Sequence, residues 1–174
     1  GAMRLVNASL EDAGFRKGCI RAAGLFDVIE HVEDDAAFMR AMHRAMARRG
    51  RLYLSVPAGR WLWSSEDESA GHYRRYGLRD IERLVKTAGF KVEYSTYLFS
   101  VLVFPVFLFR SFPHLFGGQK RVSGSGYFGE CRGGLSLLLK PLELIWTLER
   151  YMVEKGLKIP FGTSCLIVAR KRKI

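Results

Sequence analysis

Cysteine is scarce in this chain, and its spacing excludes two common uses of the residue. The three cysteines, Cys19, Cys131 and Cys165, are odd in number, far apart and never part of a CxxC pair. A disulfide framework needs an even set of cysteines, and a structural zinc site needs paired ligands at short spacing. The sequence therefore predicts a reducing, cytoplasmic setting and no cysteine-based metal centre.

Hydrophobic runs long enough to cross a bilayer are also missing. The apolar stretch YLFSVLVFPVFLF at 97–109 has 13 residues. Roughly 20 are needed to span the hydrocarbon core, and Pro105 interrupts this stretch. A second apolar segment, at 135–156, carries several charges in a helical pattern. The stretch at 97–109 is therefore not expected to be a transmembrane helix, and 135–156 is expected to be a further apolar-rich helix.

Two interpretations fit these apolar segments. In the first they form a helical lid inserted over 97–160, with a flexible loop at 117–134 that contains seven glycines. In the second, 97–156 makes a peripheral contact with an anionic membrane through nearby arginines and lysines. The localisation would then be cytoplasmic with membrane association.

Acidic residues are few relative to basic ones. The 17 aspartates and glutamates face 28 lysines and arginines, which gives a formal net charge of +11. This excess favours anionic partners such as a phosphorylated small molecule or a lipid headgroup. Much of it lies in short pairs and in the terminal ARKRKI, so nucleic-acid binding is not predicted.

Composition and periodicity predict one α/β domain over 1–174. The chain is 48% hydrophobic, and GAM at 1–3 resembles the remnant of an expression tag with no signal peptide after it. Strand and helix patterns alternate, which is typical of a parallel sheet covered by helices. Strands are predicted at 24–30, 51–57, 91–98 and 163–171. Helices are predicted at 36–50, with Asp34 or Asp35 as N-cap and Gly50 as stop, and at 78–90.

Glu30 and His31 follow the first predicted strand, and ligands of such sheets bind beyond the carboxyl ends of the strands. An imidazole with an ordinary pKa near 6.5 suits a general base, so His31 is a candidate catalytic residue. Successive strand residues point to opposite faces, so Glu30 and His31 are not both expected in the crevice if the strand continues to them.

The loop at 58–77 contains GHYRRY and should face the same crevice. We take His72 as a second candidate catalytic residue, because no apolar period explains it. The candidate acceptor contacts are Trp63, Arg74, Arg75 and Tyr76, since guanidinium groups suit phosphate or carboxylate. Asp67 and Glu68 match no metal template together with Glu30 and His72, so no metal site is predicted.

Five stretches in this order carry a family resemblance: GLFDVIEHVEDD, GRLYLSVPA, LWSSEDESAGHYRRY, AGF and PFGTSCLIVARK. Together they resemble class I S-adenosylmethionine-dependent methyltransferases, in the small-molecule branch of the type 11/12 kind. The resemblance implies a Rossmann-like sheet of seven strands with the last antiparallel, of which this chain carries strands four to seven. It implies S-adenosylmethionine as cofactor, with contacts from Ser9, Leu10, Phe26, Asp27, Glu30 and His31.

The chain departs from this family at its start, where the 23 residues before Gly24 contain no glycine-rich GxGxG turn. One interpretation is a truncated methyltransferase that acts on a small or lipid- or sugar-linked anionic acceptor. The other is a non-catalytic remnant that serves as an interaction or membrane-docking module. Either way, the flank of the fourth strand is expected to be unpaired, which favours self-association or a rearranged N-terminus.

Overall fold

The computed structural model describes residues 7, 8, 10, 12–112 and 136–172. Short 3-10 turns at Ile29–His31, Arg60–Leu62 and Ser100–Leu102 and a π-helical turn at Phe107–Ser111 connect the larger elements. In chain order these are β1 (Ile20–Phe26), α1 (Asp35–Ala45), β2 (Met46–Pro57), α2 (Ser65–Ser69), α3 (Leu78–Thr87), β3 (Phe90–Leu98), α4 (Val103–Val106), α5 (Ser136–Glu154) and β4 (Ser164–Lys171).

The four strands form one mixed sheet in the order β1-β2-β4-β3. β1 and β2 are parallel, whereas β4 lies antiparallel between β2 and β3. This confirms the expected Rossmann-like sheet with its last strand inserted antiparallel. Because β1 and β2 run the same way, their carboxyl ends meet at one edge of the sheet, where ligands of such folds bind.

The core is one cluster between the sheet and helices α1 and α3. Leu52, Leu54 and Val56 of β2 are fully buried and alternate with half-buried residues, as expected of a strand with one face on the core. The side chains that α1 and α3 place in this cluster are Met39, Met42, Ile81 and Val85. The helices are thus fixed against the strands that carry the ligand-binding edge.

Helix α1 begins as predicted and ends earlier than predicted. Asp34 is the N-cap, since its Oδ1 accepts a 2.8 Å hydrogen bond from the Ala37 N–H. Gly50 does not stop the helix, because the chain turns extended at Met46 and 46–57 is strand. A Cβ at Gly50 would lie 3.1 Å from the carbonyl oxygen of Ile20, so glycine allows β1 to approach there.

The predicted strand at 24–30 is also wrong in its bounds, because β1 ends at Phe26. Asp27 adopts φ 52°, in the left-handed region that aspartate tolerates better than most residues. The chain then forms the 3-10 turn at Ile29–His31. Glu30 and His31 are therefore turn residues, and the alternation of strand side chains does not apply to them.

The outer edge of β1 has no strand beside it among the described residues, since β1 pairs only with β2. Arg21, Ala22 and Gly24 are exposed, and 61% of the Phe26 surface is accessible. An open edge with exposed apolar surface is a template for pairing with another strand.

The apolar segment after β3 is helical but broken. Phe99 has φ 59°, and a 3-10 turn, α4 and the π-helical turn follow it. The Glu149 carboxylate of α5 accepts hydrogen bonds from the N–H groups of Phe99, at 2.9 Å, and Ser100, at 2.7 Å. This contact holds α5 at the end of β3. The predicted loop at 117–134 lies outside the described residues, and the lid remains a prediction.

The described part of the chain contains no helix that combines the length and apolarity needed to cross a bilayer. In that part Cys19 and Cys165 are free thiols. Burial raises the pKa of Cys165 to about 12, which keeps it protonated at neutral pH. Cys131 lies outside the described residues.

Candidate functional site

The loop at 58–77 packs against the turn that follows β1, as the sequence predicted. The Tyr73 N–H donates a 2.8 Å hydrogen bond to the carbonyl oxygen of Glu30, and the Asp27 N–H donates to the carbonyl oxygen of Ser55 in β2. These backbone contacts bring the carboxyl ends of β1 and β2 and the loop into one crevice.

Glu30, His31 and His72 form a compact cluster in this crevice. One ligand atom from each side chain lies within 4.8 Å of the others, and the rings of His31 and His72 are edge to face with centroids 4.7 Å apart. The condition under which Glu30 and His31 would point to opposite faces is not met, because the strand ends before them and they lie in a turn. The two candidate catalytic histidines are brought together.

The Glu30 side chain is fully buried, and neither carboxylate oxygen has a hydrogen-bond partner among the described residues. Burial raises the pKa of this carboxyl above its ordinary value and outweighs a lowering contribution from the backbone of Glu30 itself, and the nearby Asp27 adds to the rise. A buried carboxylate without a partner is costly, so this side chain is suited to a positive group in the crevice.

His72 is held in place by Asp67, which is itself fixed by three other groups. The Asp67 Oδ1 lies 2.9 Å from His72 Nδ1 and accepts a 2.8 Å hydrogen bond from Arg75 Nε. Its Oδ2 accepts from the backbone N–H and the hydroxyl of Ser64. Burial acts to raise the pKa of Asp67, but the bonds from Arg75 and His72 outweigh it and lower that pKa. The contact with Asp67 thus engages Nδ1 of His72 and fixes the orientation of the ring.

A cavity of about 620 Å³ lies beside this cluster, and all four residues predicted to contact the methyl acceptor line it. It is bounded by α3, the start of α1 and the loop at 58–77. Its lining is Asp35, Arg60, Trp63, Tyr73, Arg74, Arg75, Tyr76, Asp80, Arg83 and Leu84. The lining contains four arginines and two aspartates, and since Arg75 is paired with Asp67 behind the cavity, one excess positive charge remains.

The predicted acceptor residues differ in how far their polar groups are already engaged. Arg75 is 93% buried and bonded to Asp67 and the Ala58 carbonyl, so it positions the loop. Arg74 donates to Asp35 Oδ2 at 3.0 Å, and the Tyr76 hydroxyl donates to the same oxygen at 2.8 Å. Burial and this bond raise the pKa of Tyr76 well above its ordinary value, so its hydroxyl stays protonated.

Two further arginines of this cavity were missed from the sequence. The side chains of Arg60 and Arg83 are each 78% exposed and share the carboxylate of Asp80 at 3.4 and 4.0 Å. Arg60 lies in the turn after β2 and Arg83 lies on α3, so no short sequence motif contains both residues. The helical period of α3 was a weak signal that Arg83 is accessible, because it places Arg83 opposite the buried Ile81 and Val85.

The predicted cofactor contacts lie mostly at the end of β1. Phe26 exposes its ring, and the Asp27 Oδ1 accepts a 3.2 Å hydrogen bond from the Ser55 hydroxyl. Glu30 and His31 follow within the same turn. Leu10 packs against the core, whereas Ser9 lies outside the described residues.

A family model described as "Methyltransferase domain" matches residues 3–95, slightly more than half of the chain. No curated protein matches the chain in sequence. The family match covers β1, β2, most of β3 and all the residues of the cluster and the cavity.

Several solved methyltransferases share the fold at low identity. A Haloferax volcanii methyltransferase in complex with the Trm112 activator has 13% identity and a TM-score of 0.52, over 96% of this chain and 60% of that one. The phosphoethanolamine N-methyltransferase 2 of Haemonchus contortus, solved with S-adenosyl-L-methionine, has 14% identity and a TM-score of 0.51. The match covers 95% of this chain and 36% of that one. A Mesorhizobium loti S-adenosylmethionine-dependent methyltransferase has 13% identity and a TM-score of 0.52. The match covers 94% of this chain and 67% of that one. The chain thus spans only part of each relative's length.

Proposed function

The chain belongs to the methyltransferase-domain family, and we propose that it serves S-adenosylmethionine-dependent methyl transfer to a small, negatively charged acceptor. The observation that carries this proposal is the arginine-lined cavity beside the Glu30, His31 and His72 cluster. Both lie at the carboxyl ends of β1 and β2, where folds of this class bind their ligands.

The residues at the end of β1 fit one wall of the cofactor site. The exposed ring of Phe26 offers an apolar surface to a purine, and the Asp27 carboxylate can accept hydrogen bonds from sugar hydroxyls. The buried Glu30 carboxylate has no partner among the described residues and would complement a cationic sulfonium. When bound, S-adenosylmethionine supplies a methyl group on that sulfonium, and the in-line displacement of the methyl leaves a neutral thioether.

The cavity supports an acceptor that carries a phosphate or carboxylate. Arg60 and Arg83 expose their guanidinium groups and share a single carboxylate at long distance. Guanidinium groups bind phosphate through paired N–H donors. Trp63 and Tyr73 line the same cavity and offer apolar surface for the rest of a small molecule. A lipid- or sugar-linked acceptor would present its charged group here and its bulk towards solvent.

The histidine pair supports removal of the acceptor's proton. Asp67 bonds Nδ1 of His72 and so orients the ring with Nε2 free to accept a proton. In sites that activate a nucleophile, the base is usually oriented by a third group, which here is the Asp67 carboxylate. His31 is exposed beside it and can pass that proton to water.

Binding and turnover by the full chain test this proposal. The demethylated product S-adenosylhomocysteine is titrated by calorimetry, with and without phosphoethanolamine as an anionic acceptor probe, and transfer of a radiolabelled methyl group is followed. We expect cofactor binding and phosphate-dependent transfer. Failure to bind either S-adenosylhomocysteine or inorganic phosphate would contradict the proposal and favour a non-catalytic module.

A second candidate role is contact with a membrane surface or another protein through α5. Its Leu144, Trp146, Leu148 and Tyr151 are each at least half exposed, which is unusual for apolar residues of one helix. Flotation with vesicles of anionic lipid tests membrane contact, and vesicles of neutral lipid are the control. Absence of binding to both would remove the membrane role and leave protein contact.

A further inference from the structure

The cluster of Glu30, His31 and His72 has a composition that proton transfer alone does not require. Methyl transfer to a hydroxyl needs one base, whereas here two imidazoles and a carboxylate converge, each offering one atom within 4.8 Å of the others. The carboxylate is fully buried and has no hydrogen-bond partner among the described residues. Such a group calls for a cation at the centre of the cluster.

The surroundings of His72 match those of a metal ligand. A histidine that ligates through one ring nitrogen usually donates the other N–H to a carboxylate, which fixes the ring and its tautomer. Asp67 accepts at 2.9 Å from His72 Nδ1 and leaves Nε2 for an ion. Asp67 is in turn held by Arg75 and Ser64, so the second carboxylate supports the site and does not ligate.

We propose that Glu30, His31 and His72 bind one divalent transition-metal cation. Two imidazoles and one carboxylate favour ions such as Zn²⁺, Mn²⁺ or Co²⁺ over Mg²⁺ and Ca²⁺, which prefer oxygen ligands. Three protein ligands leave at least one coordination position open. Glu30 and His31 are adjacent, and His72 follows His31 by 41 positions. This spacing matches no sequence template for a metal site, so no metal was predicted from the sequence.

An ion at this position would change the role of the two histidines. As ligands the histidines would no longer act as free bases, and Glu30 would pair with the ion and not with a sulfonium. An acceptor hydroxyl or water at the open position would be acidified by the cation. Metal binding does not require cofactor or acceptor. The inference can therefore stand or fall independently of the proposed methyl transfer.

Direct metal titration tests the proposal on the full chain. Cys19→Ser and Cys131→Ser are introduced first, so that these thiols do not bind the probe. Zn²⁺ is then titrated by calorimetry after chelator treatment, and Co²⁺ is followed by its visible absorption. We expect one ion per chain, and a weaker or absent response to Mg²⁺.

Glu30→Gln and His31→Gln separate ligation from folding. Gln fills the space of Glu30 without its charge, and His31 is exposed, so both variants should fold. We expect each to weaken Zn²⁺ binding at least tenfold, whereas Asp80→Asn, a carboxylate of the neighbouring cavity, should leave it unchanged. Undiminished one-to-one binding in both cluster variants, or no binding of Zn²⁺, Co²⁺ or Mn²⁺ by the parent chain, would overturn the proposal.

Discussion

Arg75 Nε donates a 2.8 Å hydrogen bond to Asp67 Oδ1, and both side chains are almost completely buried. Removal of one partner from a buried ion pair leaves the other charge uncompensated, which typically costs about 3–5 kcal/mol. We expect Asp67→Asn to lower the free energy of unfolding by about that amount in urea denaturation. His72 would also lose the group that orients its ring.

The exposed pair of Arg60 and Asp80 is a matched control for this prediction. It lies in the neighbouring cavity at 3.4 Å, and both side chains are accessible. Exposed ion pairs contribute about 0–1 kcal/mol, so Asp80→Asn should change stability little. Equal losses in the two variants would show that the buried pair has no special structural role.

Glu30 should make stability depend on pH in the metal-free protein. Its pKa in the fold lies above the ordinary 4.5 because burial disfavours the charged form. The carboxyl is protonated in both folded and unfolded chains below 4.5, and stability is lost as pH rises through the folded pKa. We expect Glu30→Gln, which stays neutral, to be more stable than the parent at pH 7 by about 1–2 kcal/mol.

Chemical denaturation between pH 4 and 8 with a chelator present measures this difference. The two proteins should have similar stability at pH 4 and diverge above it. Parallel curves across that range would contradict a buried, unpartnered Glu30. Added Zn²⁺ should stabilise the parent more than the variant if the cluster binds the ion.

The fold class and the order of the strands could be predicted from the sequence, but the local geometry of the cluster could not. Hydrophobic runs and turn residues predicted a segment that overlaps each of the four strands, although the bounds of β1 and β2 differed. The antiparallel direction of the last strand was implied by the family resemblance and is confirmed. The left-handed backbone at Asp27, which ends β1 early and lets Glu30 and His31 converge, has no sequence signal beyond a tolerant residue. The early end of α1 also has no sequence signal, since the helical spacing of Phe38, Met42 and Met46 continues past Ala45.

Arg60 and Arg83 should supply most of the affinity of the cavity for phosphate. Their guanidinium groups are exposed and face one shared carboxylate, whereas Arg75 is committed to Asp67. We expect Arg60→Met with Arg83→Met to weaken phosphoethanolamine binding about tenfold or more in calorimetry, equivalent to about 1.4 kcal/mol. Affinity of the parent should fall with added salt.

Arg150→Met controls for the loss of charge alone. Arg150 lies on α5, is 70% exposed and does not line the cavity. Its replacement should leave phosphoethanolamine affinity within a factor of two. A similar loss in this variant would mean that the cavity does not bind the anion.

The open edge of β1 should cause self-association. Phe26 exposes 61% of its surface at the end of a strand that pairs on one side only among the described residues. A lysine at an edge blocks strand addition, so Phe26→Lys should shift the chain towards monomer in light scattering. Leu148→Lys on the exposed face of α5 is the control, and an equal shift in that variant would assign association to the helix.

The bond between Glu149 and the backbone of Phe99 and Ser100 joins parts of the chain 50 residues apart. The place of α5 is fixed by that bond, so the length of chain between it and β3 is free to vary. Each doubling of a connecting segment costs only about 0.6 kcal/mol in closure entropy. A change in the length of that connection is thus expected to leave α5 at the end of β3.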